Sequence, residues 1–295
     1  MTLPELFRHR DLFVGCLAIG RVPRRRAGER LRAGLHEQVL DDAHAASVDS
    51  IADATLHRAG DTFSIVVQGY DYSSLARCPA LEDDGRCGIH FDRKPVTCEV
   101  VPLDPLLPDS LQHLVLAGRN QSAHFLGAEC IQPGVRDDAP LLVAEGRVED
   151  ANARDALARR RHQLEREKAV WGRAVFESLR RELFESPAAL ARIPAGGFLT
   201  ISLVPALLAV AGASERCRQG CIDFIDSQLG LIERRIADAL LRRRLDDRPV
   251  TQTLRGFAGA YQRAKALLNT PLDRRGEHEH VENAGVEDYL FGVQP

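Results

Sequence analysis

Apolar residues at helical spacing dominate the second half of the chain. Residues 150–186 form a strongly charged helical pattern, and Ser214 is a suitable N-cap for a long helix that runs to about Arg244. The pattern predicts helices over residues 150–186, 187–193, 198–212, 214–244 and 250–268. A polar tail follows from residue 271, and no internal repeat interrupts the series.

The first half mixes a helical pattern, a strand and a long turn-rich stretch. Residues 1–25 show no regular pattern, whereas residues 27–58 carry a helical one with Leu35 on its apolar side. Alternating residues from Thr62 to Tyr70 predict a strand. The prolines and glycines between residues 71 and 134 predict little regular secondary structure.

Together these patterns predict an α+β protein in two parts. Residues 1–147 are expected to form a loop-rich cysteine-cluster module with short strands. Residues 148–295 are expected to form a mainly helical half, packed either separately or as one domain with the first. A long loop-rich segment needs something besides apolar burial to hold it, and a metal centre would serve.

Charge and hydropathy argue against several partners. The net charge is −3, so nothing in the charge balance calls for nucleic acid or an anionic membrane. The longest apolar run, Phe198 to Gly212, is shorter than the roughly 20 residues that span a bilayer. The N-terminus lacks the apolar core of a signal peptide. We therefore expect a cytoplasmic protein, in a compartment that keeps thiols reduced.

Seven cysteines carry the most specific chemical signal. Cys78, Cys87 and Cys98 follow a C-x8-C-x10-C spacing, and the Asp83–Gly85 turn is expected to make the first two the arms of a hairpin. Cys130 is the nearest candidate for a fourth thiolate, and four thiolates complete a tetrahedral zinc site or a 4Fe–4S site. The alternative is a set of unrelated buried cysteines, which the polar neighbours disfavour.

The segment around these cysteines resembles the YkgJ-type cysteine-cluster family, whose members are described as zinc- or iron-chelating. The matching positions are Cys78, Pro79, Leu81, Gly85, Cys87, Ile89, His90, Pro95, Cys98 and Pro102. His90 stands where the family usually has tyrosine, and Cys16 alone stands where the family opens with a dense cysteine cluster. The resemblance implies that Cys78, Cys87, Cys98 and Cys130 ligate a metal.

That family is related to the flagellin lysine N-methylases, and the tail of the chain resembles the ending of that branch. Glu282-Asn283 and the later Tyr289-Leu290 are similar to its E-N-Y-L-like ending. By resemblance, the branch uses S-adenosylmethionine with an iron–sulfur centre to methylate lysine, which implies a protein substrate. No glycine-rich nucleotide loop is visible, so the residues give methyl transfer no separate support.

Other residues are further ligand candidates. Cys217 and Cys221 are four residues apart on the helix after Ser214 and share its apolar face, so they are either core residues or ligands. Four histidines are weaker ligand candidates than the cysteines: His90, His124, His278 and His280.

The sequence therefore predicts a metal-binding protein that carries an iron–sulfur cluster, or zinc, on a cysteine cluster. The predicted ligands are Cys78, Cys87, Cys98 and Cys130, with Cys16, Cys217 and Cys221 as additional candidates. Two alternatives stay open. One is a cluster-dependent protein lysine N-methylase that uses S-adenosylmethionine, and the other is a structural zinc protein without catalysis. The residues do not decide whether the protein is an enzyme.

Overall fold

The computed structural model of the protein describes residues 1–75, 77–91, 93–122, 141–194, 196–270 and 280–292. In these ranges the α-helices are α1 (Leu3–Arg8), α2 (Asp42–Thr55), α3 (Val96–Val100), α4 (Gln112–Ser122), α5 (Ala151–Glu167), α6 (Arg173–Leu183), α7 (Pro187–Leu190), α8 (Val204–Ala211), α9 (Glu215–Arg242), α10 (Arg248–Asn269) and α11 (His280–Phe291). The strands are β1 (Val14–Val22), β2 (Arg30–Ala33), β3 (His36–Val39), β4 (His57–Ala59), β5 (Asp61–Tyr70), β6 (Val143–Ala144), β7 (Arg147–Val148) and β8 (Phe198–Ser202). Helices and antiparallel strands occur together, which confirms the α+β class.

Two compact units share the chain as interleaved segments. The first contains Met1–Arg21, Ile65–Leu75 and Glu167–Pro295, and the second contains Val22–Ser64 and Ala76–Arg166. The sequence instead predicted one boundary after residue 147. Strand β5 runs from the second unit into the first, so a unit boundary falls inside a regular element that has no local signal for it.

Strand β1 is the centre of the sheet in the first unit. It lies between β5 and β8 and pairs antiparallel with β8, with Cys16 opposite Ser202. Residues 14–20 are all buried. A fully buried strand reads as one short apolar run without alternation. The prediction that residues 1–25 are irregular is therefore wrong, since they hold both α1 and β1.

The apolar run at residues 198–212 contains a strand and a helix, not the single predicted helix. β8 ends at Ser202, and α8 begins at Val204 with Pro205 in its first turn. Proline is tolerated there because the first N–H groups of a helix have no partner within the helix. A short apolar run suits either element, and pairing with β1 decides in favour of the strand.

Helix α9 confirms the predicted N-cap. The Ser214 hydroxyl accepts a hydrogen bond from the Cys217 N–H at 3.1 Å. The buried face of the helix carries Cys217, Cys221, Ile222, Phe224, Ile225, Gln228, Leu231, Ile232 and Ala239. This face forms part of the core of the first unit.

In the second unit a hairpin replaces the first part of the helix predicted over residues 27–58. β2 and β3 pair antiparallel, with Ala33 opposite His36. Gly34 has φ +61 and Leu35 is fully exposed at the turn. A helix interior excludes positive φ, so the glycine position favours the hairpin. Helix α2 then begins after Asp41, whose side chain accepts the His44 N–H.

Small apolar clusters form the buried core of the second unit. Their buried members are Leu40, Val48, Leu111 and Leu114 in one cluster, and Val100, Leu103, Val148 and Leu157 in the other. Across all the ranges that the structure describes, each helix is too short or too polar to cross a bilayer.

Candidate functional site

The predicted turn at Asp83–Gly85 forms, and it places Cys78 and Cys87 on the two arms of a short hairpin. Leu81 makes an antiparallel bridge with Cys87, and its N–H donates to the Cys78 carbonyl oxygen at 3.0 Å. Gly85 has φ +81, which favours glycine in the turn. Local backbone hydrogen bonds therefore fix the hairpin, with Cys87 opposite Leu81 and Cys78 in the turn before Leu81.

Cys98 lies in the first turn of α3. Its N–H donates to the carbonyl oxygen of Pro95 at 2.8 Å. Desolvation raises the pKa of the Cys98 thiol, and the nearby thiols of Cys78 and Cys87 raise it further. The thiols of Cys78 and Cys87 therefore act electrostatically on that of Cys98. No disulfide joins the cysteines that the structure describes.

The described residues do not assemble a metal site. Among them, no group of three or more His, Cys, Asp or Glu side chains is arranged to hold a metal ion. The predicted metal-binding cysteine cluster is therefore wrong, whether iron–sulfur or zinc. The lysine methylase and structural zinc alternatives depend on the same centre and are overturned with it. Spacing along the chain can bring thiols near one another, but ligation also requires their side chains to converge on one point.

Several predicted ligands lie outside the described residues. These are Cys130, His124 and His278, together with the side chain of His280 at the start of α11. His90 follows the hairpin, and its ring makes an edge contact with Phe91 at 4.7 Å between centroids.

The remaining predicted ligands are core residues of the first unit. Cys16, Cys217 and Cys221 are completely buried. The Cys16 thiol donates to the Gln68 carbonyl oxygen at 3.5 Å, and the Cys221 thiol donates to that of Leu207 at 3.6 Å. Burial raises the pKa of Cys16 and of Cys221 to about 12. Complete burial and thiol hydrogen bonds to backbone carbonyl oxygens are what the core interpretation of these cysteines predicts.

A different feature stands out in the first unit, at the corner between α9 and α10. A cavity of about 620 Å³ is lined by Ala239, Leu240, Arg243, Arg244, Leu245, Asp247, Arg248, Thr251, Gln252 and Arg255. Four of these residues are arginine and one is acidic. Its sequence signal is the Arg242–Arg244 run followed by Arg248, residues that are not among the predicted ligands.

The acidic residue of the lining is already engaged by an arginine. Asp247 is 3% exposed, and its Oδ2 accepts hydrogen bonds from Arg242 Nη2 at 3.0 Å and Nε at 3.2 Å. The Arg242 guanidinium lies 4.9 Å from the centre of the Tyr72 ring. The Tyr72 hydroxyl is hydrogen-bonded to Thr251 Oγ1 at 3.0 Å. These contacts fix the side chains of Asp247, Arg242 and Tyr72 at the corner.

Three arginines of the lining keep their guanidinium groups available. Arg243, Arg248 and Arg255 are exposed, and no ion pair engages their side chains within the described part of the chain. Arg244 donates to the Ser74 carbonyl oxygen at 2.9 Å, a neutral partner that does not compensate its positive charge. The cavity therefore presents an excess of positive charge to solvent.

The backbone at this corner is strained and its helix start lacks a side-chain cap. Arg243 has φ 55 and ψ 30 at the end of α9, a conformation that costs an L-residue with a side chain about 1–2 kcal/mol. Asp247 precedes α10 but makes no side-chain capping bond. Arg248 then puts a positive charge at the helix N-terminus, where the helix dipole favours an anion instead.

A cavity of similar size along α6 shows the contrast. It measures about 560 Å³ and is lined by Glu177, Ser178, Arg180, Arg181, Glu182 and Glu185. Arg180 forms ion pairs with Glu177 at 3.0 Å and with Glu185 at 3.1 Å. The charges of that cavity neutralise one another, whereas those of the α9–α10 corner do not.

Replacing Asp247 with asparagine should lower the melting temperature at neutral pH, because the amide cannot form the ion pair with Arg242. The Ser74 hydroxyl, and after it Arg242, lower the pKa of Asp247 below 3.8. The folded state therefore binds protons less readily than the unfolded state, and this stabilisation is lost as the pH falls through the lowered pKa. Thermal unfolding should show the difference between wild type and Asp247→Asn shrinking below pH 3.8. A difference that stays constant into acid would contradict the assignment.

Comparison of the chain with family models, with curated proteins and with solved structures finds no match. The resemblance to the YkgJ-type family stays a prediction, and so does binding of S-adenosylmethionine. Geometry and charge at the α9–α10 corner are thus the basis on which function is proposed.

Proposed function

We propose that the protein binds an anionic ligand, carrying more than one phosphate or carboxylate group, at the corner between α9 and α10. The observation that carries this proposal is the convergence of Arg243, Arg248 and Arg255 on one cavity without an acidic partner. Guanidinium groups pair with phosphate and carboxylate oxygens through two parallel hydrogen bonds. Three such groups match a ligand of several negative charges.

The start of α10 supports the same ligand chemistry. Arg248 is the first residue of the helix, and Arg255 is seven residues later on the same face. An anion placed there would meet the helix N-terminus and both guanidinium groups. It would also offset the mutual repulsion of the arginines, which the protein alone leaves uncompensated.

Apolar side chains at the corner indicate that the ligand also carries an apolar group. Leu240 is 58% exposed and Leu245 is 68% exposed, and both line the cavity beside the arginines. Small-molecule sites combine apolar walls with a few placed polar groups, in volumes of roughly 300–1,000 Å³. A ligand with an anionic group and a hydrocarbon or aromatic portion therefore fits better than a bare inorganic ion.

Inorganic pyrophosphate is a suitable probe of the anionic half of this site. In isothermal calorimetry the wild type should bind it, and Arg248→Ala should weaken binding by about 10- to 100-fold. This range corresponds to one charge-assisted interaction of about 1.5–3 kcal/mol. Raising the salt concentration should weaken binding in the wild type, because exposed charges are screened.

Arg263→Ala is the matched control, since Arg263 is another exposed arginine on α10, two turns further along the helix. It should change the affinity by less than about 2-fold. Equal losses in the two variants would mean diffuse attraction to a basic surface and would overturn the site. Undetectable binding by the wild type at low salt would do the same.

A further inference from the structure

Exposed leucines form an apolar patch at the α9–α10 corner that extends beyond the arginine cavity. Leu240 and Leu245 line the cavity, whereas Leu241 does not. Leu241 is 81% exposed, more than either of the other two. Single exposed leucines are common on protein surfaces, but these three lie within six successive residues. A small ligand confined to the cavity would leave Leu241 in water.

The course of the backbone holds this patch away from the core. Ala239 lies on the buried face of α9, and Leu241 follows it by two residues, which is about 200° of rotation around a helix. Leu241 therefore lies on the outer side of α9. Leu245 begins the 3-10 turn that leads into α10. The hydrogen bonds from Arg242 to Asp247 fix the end of that turn.

Positive charge surrounds the leucines. The cavity lining supplies Arg243, Arg244, Arg248 and Arg255. The exposed carboxylate of Asp246, in the same 3-10 turn, can offset only one of these charges. Charges act over about 8 Å at physiological ionic strength, so the local excess matters more at this corner than the net charge of −3 on the whole chain.

We propose that the α9–α10 corner docks on the surface of a bilayer that contains anionic phospholipids. This proposal rests on the anion site proposed above and assigns the anion to lipid phosphate groups. The arginines pair with the phosphates, and the leucines enter the apolar boundary beneath them. A bilayer extends past the cavity and covers Leu241 as well, which a soluble anion in the cavity does not. Docking of this kind needs no membrane-spanning helix.

Co-sedimentation of the full chain with lipid vesicles tests this docking. Vesicles of phosphatidylglycerol and phosphatidylcholine in equal parts should bind the wild type, and vesicles of phosphatidylcholine alone should bind it about 10-fold or more weakly. The difference arises because each arginine near an anionic surface adds to the attraction. Raising the salt concentration should weaken binding to the anionic vesicles, because exposed charges are screened.

Leu241→Ser separates docking from binding in the cavity. It should weaken binding to the anionic vesicles by about 10-fold, because one leucine no longer leaves water. It should leave the affinity for pyrophosphate unchanged, since Leu241 is not part of the cavity lining. Arg248→Ala should weaken both, with a loss of about 5-fold on the vesicles.

Leu267→Ser is the matched control, because Leu267 is an exposed leucine of α10 at the other end of the helix pair. The guanidinium of Arg218, near the start of α9, donates to the carbonyl oxygen of the neighbouring Leu268. This variant should bind the anionic vesicles as the wild type does. Equal losses in Leu241→Ser and Leu267→Ser would contradict docking through the corner, and so would an unchanged affinity in Leu241→Ser.

The wild type distinguishes failure of docking from failure of the anion site. A wild type that binds pyrophosphate but does not prefer the anionic vesicles would overturn docking and leave the anion site in place. A wild type that binds neither would overturn both. These two measurements need no variant, so they decide the question even where a substitution prevents folding.

Discussion

Replacing Gln228 with alanine should destabilise the first unit by about 3–5 kcal/mol, since it leaves several buried backbone groups without partners. Gln228 is completely buried in α9. Its Oε1 accepts the Gly15 N–H at 2.7 Å. Its Nε2 donates to the carbonyl oxygens of Arg10 at 2.7 Å and Phe13 at 3.1 Å. One side chain thus provides hydrogen-bond partners for three backbone groups in the turn that leads into the central strand β1.

Urea unfolding of the wild type and Gln228→Ala measures this loss. Gln219→Ala is the control, because Gln219 is exposed on the same helix and its amide donates only to the side chain of Asp223. That change should cost under about 0.5 kcal/mol. If Gln228→Ala lost no more than Gln219→Ala, the carbonyl groups of Arg10 and Phe13 would have to find other partners, and the role given to Gln228 would be wrong.

Gln228 also shows how far sequence patterns reach. Helix α9 was predicted from its N-cap and its apolar spacing, and both are local signals. The apolar spacing alone does not predict that Gln228 is buried on this helix. The polar residue takes the buried position because a loop distant in sequence requires its hydrogen bonds. That requirement is tertiary and leaves no trace in the helix itself.

The predictions for the residues of β1 and for residues 198–212 were wrong for a related reason. Residues 14–20 and 198–212 are short and almost wholly apolar, so they fit a buried strand or a buried helix equally well. Antiparallel pairing of Ile19 with Leu199 decides the outcome. A pairing between segments so far apart in the chain is not contained in either segment's own pattern.

The two candidate sites differ in how far the sequence pattern indicates them. The cysteine spacing predicted that Cys78, Cys87 and Cys98 share a metal ion, but ligation depends on side-chain direction, and the described residues assemble no such group. The arginine cavity needs the corner between α9 and α10 to bring Arg243 and Arg255 together. Its sequence signal, a run of arginines, resembles the solvated charge that many helix ends carry.

A second polar network ties the N-terminus, the α5–α6 junction and α11 together within the first unit. The Glu167 Oε1 accepts hydrogen bonds from the Leu3 N–H and from the Tyr289 hydroxyl, both at 2.9 Å. The Trp171 indole N–H donates to the Tyr289 oxygen at 3.3 Å. Trp171 lies in a π-helical turn, Lys168–Gly172, whose extra residue shifts the register of side chains along the helix. Tyr289 is one of the tail residues that resemble the E-N-Y-L-like ending, and in the structure it is a buried core residue.

Trp171→Ala should therefore destabilise the first unit by about 3–5 kcal/mol, combining the cavity left by a completely buried indole with the loss of a donor to Tyr289. Since Tyr289 belongs to α11, the variant should also loosen that helix. Hydrogen exchange should show faster exchange in residues 285–292 than in the wild type. Phe198→Ala is the control, because Phe198 is 55% exposed, and it should cost under about 1 kcal/mol and leave exchange in α11 unchanged. Loss of stability without faster exchange in α11 would mean that the tail docks independently of the indole, and the network would then be a set of separate contacts.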